Sequence, residues 1–356
     1  MKIVILGDLH LGARGNSEVM SAHFKEFFEF MFGYMNENGI DTIFQLGDMF
    51  DSRRNISFKT LATAHDDFFL PLSENKFKLY SVLGNHDIFY RESLSVASSD
   101  LLLRQYGNVH IIKESTTKTF GGIDFDFIPW ICKENSEDVM SFITKSQSPY
   151  ALGHFEIMMW EMYKGSFSQV GIEVDSLSKY KEVFSGHYHT ASSRYNVNYL
   201  GTPYQITFQD VFEKKGFYVF DTETETLSFV ENPKKIFHAV VYDDTKKKSP
   251  KIKNKEDLKN TYIRVYLKAK TEEFLYQNFI NELFSCEPAD VKIVNQAEVG
   301  VLTESAEGDE EDLRDTVSVM VHHIQSMDME KEKRDKLQNF MLDLYREAQS
   351  KREFVA

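Results

Sequence analysis

Five times in the first 190 residues, a short run of apolar, β-forming residues closes on glycine followed or preceded by acid, asparagine or histidine. The runs are "KIVILGDLH" (2–10), "TIFQLGDMFD" (42–51), "FKLYSVLGNHD" (77–87), "YALGHFE" (150–156) and "KEVFSGHYH" (181–189). Their richness in Val, Ile, Leu, Phe and Tyr predicts strands. Between the early ones the apolar positions change period. Phe24, Phe27, Phe28, Met31 and Tyr34 recur at helical spacing, as do Leu61, Ala64, His65, Phe68 and Phe69. Strands alternating with helices predict a layered α/β fold, in which ligands gather beyond the carboxyl ends of the strands. Later runs at 123–130, 197–205 and 216–224 have few helices between them and predict a second, more antiparallel sheet.

The character changes near Asn232-Pro233, which sets a first domain at 1–235 and a second at 236–300. In the second, "HAVVYDD" (238–244), "TYIRVYLKA" (261–269) and "DVKIVNQ" (290–296) read as strands and 271–285 as a helix. Residues 301–312 have the composition of an acidic linker. Beyond it, 313–356 carries two amphipathic stripes broken at "SMDME" (326–330). Leu313, Val317, Met320, Val321 and Ile324 form one; Leu337, Phe340, Met341, Leu344, Tyr345 and Ala348 form the other. Such stripes either fold back on their own domain or dock on a partner; the acidic linker favours reach.

A chain of 356 residues with 42% hydrophobic content can bury a sizeable core. Only Cys132 and Cys286 are present, which excludes a disulfide framework and favours a reducing compartment. No apolar run is long enough for a signal peptide or a membrane span, so the expectation is a cytoplasmic protein with no membrane partner. The net charge of -14 appears hostile to nucleic acid, yet seven acids against Arg314 place -6 of it within 301–315. The remaining -8 includes carboxylates suited to metal binding, so DNA is not excluded as a substrate.

The polar strand ends supply Asp8 and His10, Asp48, Asn85 with His86, His154, and His187 with His189. Singly, each could cap a helix, end a turn or pack in a core. Together they place one type of cluster at one edge of a sheet, which is the pattern of a metal site. Carboxylates, imidazoles and an amide without thiolate suit Mn, Fe or Zn. Seven ligands exceed the need of one tetrahedral ion and suit two ions about 3.5–4 Å apart that clamp a phosphate.

The series D-x-H (8–10), G-D-x-x-D (47–51), G-N-H-D (84–87), G-H (153–154) and G-H-x-H (186–189) resembles the calcineurin-like metallophosphoesterases, with "YLGTP" (199–203) as their turn after the metal strands. Within them the chain resembles the SbcD-type nuclease subunits of double-strand-break repair, in their T-even-type phage branch. There "IPWICKEN" (128–135) and "SGHYHT" (185–190) have near counterparts.

The resemblance implies a four-layer αββα sandwich with a small α+β capping domain and C-terminal helices. It implies a DNA exo/endonuclease with two divalent ions, manganese foremost. One ion would sit on Asp8, His10 and His189. The other would take Asn85, His154 and His187, with Asp48 bridging. His86 would face the scissile phosphate and help protonate the leaving oxygen. Asp87 is expected to fix the loop through backbone hydrogen bonds. Asp51 stands where many archaeal and eukaryotic relatives have His, and is expected to pair with His86, raise its pKa and support catalysis.

The resemblance further implies a homodimer through helices at 58–70 and 91–105. It also implies docking of Leu337, Phe340, Met341, Leu344 and Tyr345 on an SbcC-type coiled-coil ATPase. The basic run that includes Lys246, Lys247 and Lys248 is either a solvated loop or a grip on DNA phosphates. Arg53 and Arg54 could meet a phosphate or form surface ion pairs, and Trp130 and Tyr188 could stack on bases. Two rivals stand beside the nuclease: a small-substrate phosphatase or phosphodiesterase, and a non-catalytic scaffold. The scaffold expects missing ligands, and none of the seven is missing.

Overall fold

Strict alternation along Lys2–Leu6 sets the layers. Ile3 and Ile5 face a core shared with a second sheet, while Val4 and Leu6 face helices. A period of two along a strand buried on both sides produces this division. The computed structural model describes residues 1–163, 166–248, 250–252 and 254–295, with Lys333 and Met341 beyond them. The linker 301–312 and the docking residues Leu337, Phe340, Leu344 and Tyr345 lie outside the described residues.

The first sheet runs in the order Thr226–Glu231, Gly216–Asp221, Lys2–Leu6, Thr42–Gln45, Lys78–Val82, Val109–Ile112. From Lys2–Leu6 onward its neighbours are parallel. The second runs Ser192–Arg194, Val197–Tyr199, Glu182–Gly186, Tyr150–His154, Ile123–Ile128, Thr116–Phe120. Phe44, Leu46 and Val82 of the first meet Phe125, Phe127, Leu152 and Phe184 of the second in a dry core. Each such side chain contributes roughly 1.5–3 kcal/mol of burial.

The helix Glu18–Asn38 covers the outer face of the first sheet. Ser17 accepts from the Met20 amide at its start, and Gly39 at φ 63 ends it. Its Phe24, Phe27, Phe28 and Met31 pack on Val4, Leu6 and Ile43. Ser136–Lys145 does the same for the second sheet through Val139 and Ile143. Helix, sheet, sheet and helix make the four-layer fold expected of a metallophosphoesterase. A smaller three-stranded sheet follows, in the order Phe237–Asp243, Tyr262–Ala269, Asp290–Asn295, with Glu273–Phe284 packed through Tyr276, Phe279 and Leu283.

Three expectations need correction. Gly216–Asp221 joins the first sheet, antiparallel to Lys2–Leu6, because Phe217 and Val219 pack beneath Glu18–Asn38 while Phe220 enters the inter-sheet core. The second sheet is parallel across its four inner strands and antiparallel only at its margins. The segment 91–105 is not one helix. Ser93–Ala97 pairs with Ile88–Tyr90 as a hairpin, and only Ser98–Leu103 is helical. Ala97 packs with Leu83, Ile88 and Trp130 in a cluster that a continuous helix would break.

Candidate metal centre

Parallel strands end at a common edge, and here two sheets present those edges side by side. Asp8, Asp48 and Asn85 follow the strands Lys2–Leu6, Thr42–Gln45 and Lys78–Val82. His154 ends Tyr150–His154, and His187 and His189 follow Glu182–Gly186. All of these except the partly exposed His189 are buried. Tight backbone approach makes the gathering possible. A Cβ on Gly84 would strike Asp48, and one on Gly186 would strike Asp8 and the Leu46 carbonyl. His10, Asp48 and His187 adopt φ of 44, 56 and 90, a region that L-residues enter only when their surroundings hold them there.

The donor atoms converge in two groups: Asp8, His10 and His189, and Asp8, Asp48 and His154. His10 Nε2 and His189 Nε2 lie 3.0 Å apart. Asp8 is common to both groups, and Asp48 Oδ2, in the second, is 3.3 Å from His154 Nε2 and 3.7 Å from His10 Nε2 of the first. Asn85 Oδ1 lies 2.9 Å from His154 Nε2 and 3.0 Å from His187 Nδ1. The His154 Nδ1–H donates to the Leu46 carbonyl at 2.7 Å, which fixes the tautomer and leaves Nε2 facing the other donors. So many buried oxygen and imidazole donors on shared points fit divalent cations, and the set lacks any thiolate.

Electrostatics express the same crowding. Burial pushes the Asp8 carboxyl up to about 6, with His154 opposing and Asp48 adding to it. Burial also acts to raise Asp48, but His154, His86 and His10 together hold it well below the ordinary carboxylate range. Burial would depress His10, yet Asp51, Asp48 and Asp8 carry it to about 9. His154 reaches about 9 against burial through Asp48 and Asp8. Burial, with His10 and Lys215 nearby, holds His189 well below its usual value.

Asp87 behaves as the loop pattern predicts. Its Oδ2 accepts from the Gly84 and Asp48 amides at 2.8 and 2.9 Å, and its Oδ1 from Met49 at 3.1 Å. Asp51 does not. Its carboxylate Oδ1 lies 3.2 Å from His10 Nδ1, and the His86 Nδ1–H meets the Asp51 backbone carbonyl instead. Burial dominates at His86 and lowers its pKa, although Asp48 and Asp51 oppose it. The expected carboxylate pairing is therefore replaced by a backbone one, because the loop after Asp48 turns the side chain toward His10.

Arg53 Nε donates to the Asn85 carbonyl at 2.9 Å, so it braces the same loop, while Arg54 is exposed. Lys246, Lys247 and Lys248 lie exposed on the turn after Phe237–Asp243. Tyr188 is buried against Tyr199 at 4.6 Å between ring centres, which removes it as a base-stacking surface. Trp130 is half-buried, its ring 5.2 Å from that of His187. Sequence reading missed Glu156, whose Oε1 is 3.9 Å from His187 Nε2, although it stands two residues after His154. It also missed the Leu46 carbonyl, which no side-chain pattern encodes.

A family model described as calcineurin-like phosphoesterase matches residues 1–210. The chain belongs to the calcineurin-like phosphoesterases. It is also 39% identical over 232 residues to exonuclease subunit 1 of Enterobacteria phage T4, a match spanning 65% of this chain and 68% of that one. Among solved structures, an archaeal phosphodiesterase aligns with a TM-score of 0.33 at 13% identity, over 65% of this chain and 100% of the other. The glutamine-dependent NAD+ synthetase of Acinetobacter baumannii gives 0.25 at 9%, over 90% and 71%. Both likenesses are too loose to carry an argument. The phosphoesterase is thus a phosphoester hydrolase of a family that uses divalent metals, with Asp and His groups placed to hold them. No described helix is long and apolar enough to cross a membrane.

Proposed function

We propose that the phosphoesterase is a two-metal DNA nuclease, with exo- and endonuclease action, and the subunit of a nuclease–ATPase complex that processes DNA ends in recombination, repair and replication. The convergence of five side chains in two donor groups that share Asp8, with Asn85 and His187 beside the second, carries the chemistry. The DNA substrate rests on the 39% likeness to a phage exonuclease subunit. Asp8, His10 and His189 would hold one ion and Asn85, His154 and His187 the other, with Asp48 shared. The donor set suits Mn, Fe or Zn, and the resemblance puts manganese foremost among them. Two such ions supply Lewis-acid activation of water and of the phosphodiester.

The chain's own groups do the rest. Asp48 Oδ1 accepts from the His86 amide at 2.7 Å, which fixes His86 beside the metal ligands. With Nδ1–H engaged by the Asp51 carbonyl, Nε2 is the nitrogen left to hold or pass a proton at the leaving oxygen. The Asp51 carboxylate supports His10 from behind, as outer carboxylates commonly do. Residues 236–300 would cap the site and bring Lys246, Lys247 and Lys248, with Arg53 and Arg54, to the DNA backbone. The exposed Phe58 (91%) and Leu101 (54%) support a homodimer through the segment 58–70 and the part of 91–105 that is helical, Ser98–Leu103. Leu337, Phe340, Met341, Leu344 and Tyr345 would dock on an SbcC-type ATPase.

The test compares labelled linear duplex with a chromogenic phosphomonoester, with Mn or Mg, with chelator, and with and without the ATPase and ATP. Metal-dependent degradation of the duplex is expected. Turnover of the monoester alone would return the site to a small-substrate phosphatase.

A further inference from the structure

A lysine is buried directly behind one of the proposed metal ligands. Lys215 is 6% exposed, and its Nζ donates to the His189 backbone carbonyl at 2.8 Å. The same ammonium meets Asp210 Oδ1 at 2.8 Å and Glu213 Oε2 at 2.7 Å. A buried cation with three oxygen partners is held in one place, since breaking any of them removes a charge-assisted hydrogen bond from a buried group. Each partner is itself tied down. Glu213 accepts from Thr190 Oγ1 at 2.7 Å, on the residue after His189. The His189 carbonyl also accepts from the Thr202 amide at 3.0 Å.

The chain of bonds continues away from the metal centre. Asp210 Oδ2 accepts from the Ile206 and Thr207 amides, and the Asp210 carbonyl accepts from Gln205 Nε2 at 3.0 Å. Gln205 Oε1 in turn accepts from the Ile236 and Phe237 amides at 3.0 and 2.9 Å, where the chain enters the small three-stranded sheet. Asn232 closes a second path. Its amide donates to the Lys215 carbonyl at 2.8 Å. Buried bonds that are all satisfied make a rigid tie rather than a set of independent contacts.

We propose that Lys215 is a positioning residue for the His189 side of the metal centre, tied through Asp210 and Gln205 to the root of the small sheet. The proposal rests on the reading of His189 as a metal ligand. Lys215 touches neither metal nor substrate; it sets where the His189 backbone, and hence its imidazole, can sit. Outer partners of this kind typically change metal affinity about 10–100-fold when removed.

The test is direct metal binding to the full chain. Mn2+ stoichiometry and affinity are measured by chelator competition, and the exchange coupling of the ion pair by electron paramagnetic resonance. The wild type should bind two coupled ions. Binding of fewer than two would refute the two-metal reading itself, before any variant is considered. Lys215→Met is expected to weaken one ion about 10–100-fold and abolish the coupled signal, with the second ion retained. Lys215→Met leaves Asp210 buried without its cation, so Lys215→Met/Asp210→Asn is measured beside it. Asparagine keeps an oxygen for the Ile206 and Thr207 amides, and the double variant should show the same selective loss. Two ions at wild-type affinity in either folded variant would overturn the proposal. Equal loss of both ions, or failure of both variants to fold, would assign Lys215 a purely structural role and overturn it as well.

Discussion

Acid should loosen this protein through a histidine that has nothing to do with metal. His23 lies on Glu18–Asn38, is 6% exposed, and its Nε2 finds no hydrogen-bond partner. Burial, with Lys234 and His238 nearby, depresses its pKa from 6.5 to about 4. The Tyr204 ring stands 6.3 Å away and Lys234 also faces Glu26 at 3.6 Å. Above pH 6.5 the imidazole is neutral in both folded and unfolded chains, so it contributes no pH dependence. As pH falls below 6.5, the unfolded chain takes up a proton that the folded chain refuses, and stability is lost until about pH 4. The full loss is about 3 kcal/mol, of which about 2 kcal/mol has gone by pH 5. His23→Phe removes the proton site while keeping an aromatic ring beside Phe24 and Phe27. Urea unfolding from pH 7.5 to 4.5 should show the variant losing about 2 kcal/mol less than the wild type by pH 5. Titration of the metal cluster and any constant packing penalty cancel in that difference. Parallel pH dependence in the two proteins would refute the assignment.

Asp48→Asn should lose hydrolysis together with tight binding of both ions, whereas His86→Asn should lose hydrolysis and keep both, as metal analysis of the purified variants would show. Asp51→Asn should weaken metal binding about 10-fold or more at the His10 side, because its carboxylate lies 3.2 Å from His10 Nδ1; unchanged affinity in a chelator competition would count against that role. A chain cut after Gly300 should keep metal-dependent cleavage of frayed DNA but no longer co-purify with the ATPase. Phe340→Asp with Leu344→Asp should reproduce that loss, and persistent co-purification of either would return residues 313–356 to an intramolecular role.

Much of the site was legible because its signal is local. A strand, a glycine and a candidate metal ligand are adjacent in sequence at Gly7-Asp8, Gly47-Asp48, Gly84-Asn85, Gly153-His154 and Gly186-His187. Parallel pairing then brings those ends to one edge without further information. What escaped depends on contacts distant in the chain. Gly216–Asp221 has the same apolar pattern as a strand of either sheet, and only Glu18–Asn38 decides which face receives Phe217. The hairpin at 88–97 is set by Leu83 and Trp130, which lie outside its own sequence. The expected pairing of the Asp51 carboxylate with His86 failed for a subtler reason. Its backbone carbonyl, common to every residue type, occupies His86, and its carboxylate is left for His10.

Backbone strain and the candidate metal ligands are coupled in this centre through acids that act twice. Positive φ at His10, Asp48 and His187 costs roughly 1–3 kcal/mol at each position unless surrounding bonds enforce it. The enforcing bonds come from neighbouring ligand loops. Asp8 accepts from the His187 amide with both oxygens at 3.0 Å, and the Asp48 carbonyl accepts from the Leu9 and His10 amides. Asp48 Oδ1 holds the His86 amide, and Asp87 holds the Asp48 amide. Asp8 and Asp48, the two carboxylates of the donor groups, therefore each also hold the backbone of another loop. Removing Asp8 changes the donor set and releases the strained His187 at the same time, so its loss should not add to that of its neighbours. Asparagine at Asp8 can still accept from His187, while alanine cannot. The gap between Asp8→Asn and Asp8→Ala, read in unfolding under chelator, thus isolates the backbone contribution from the metal one.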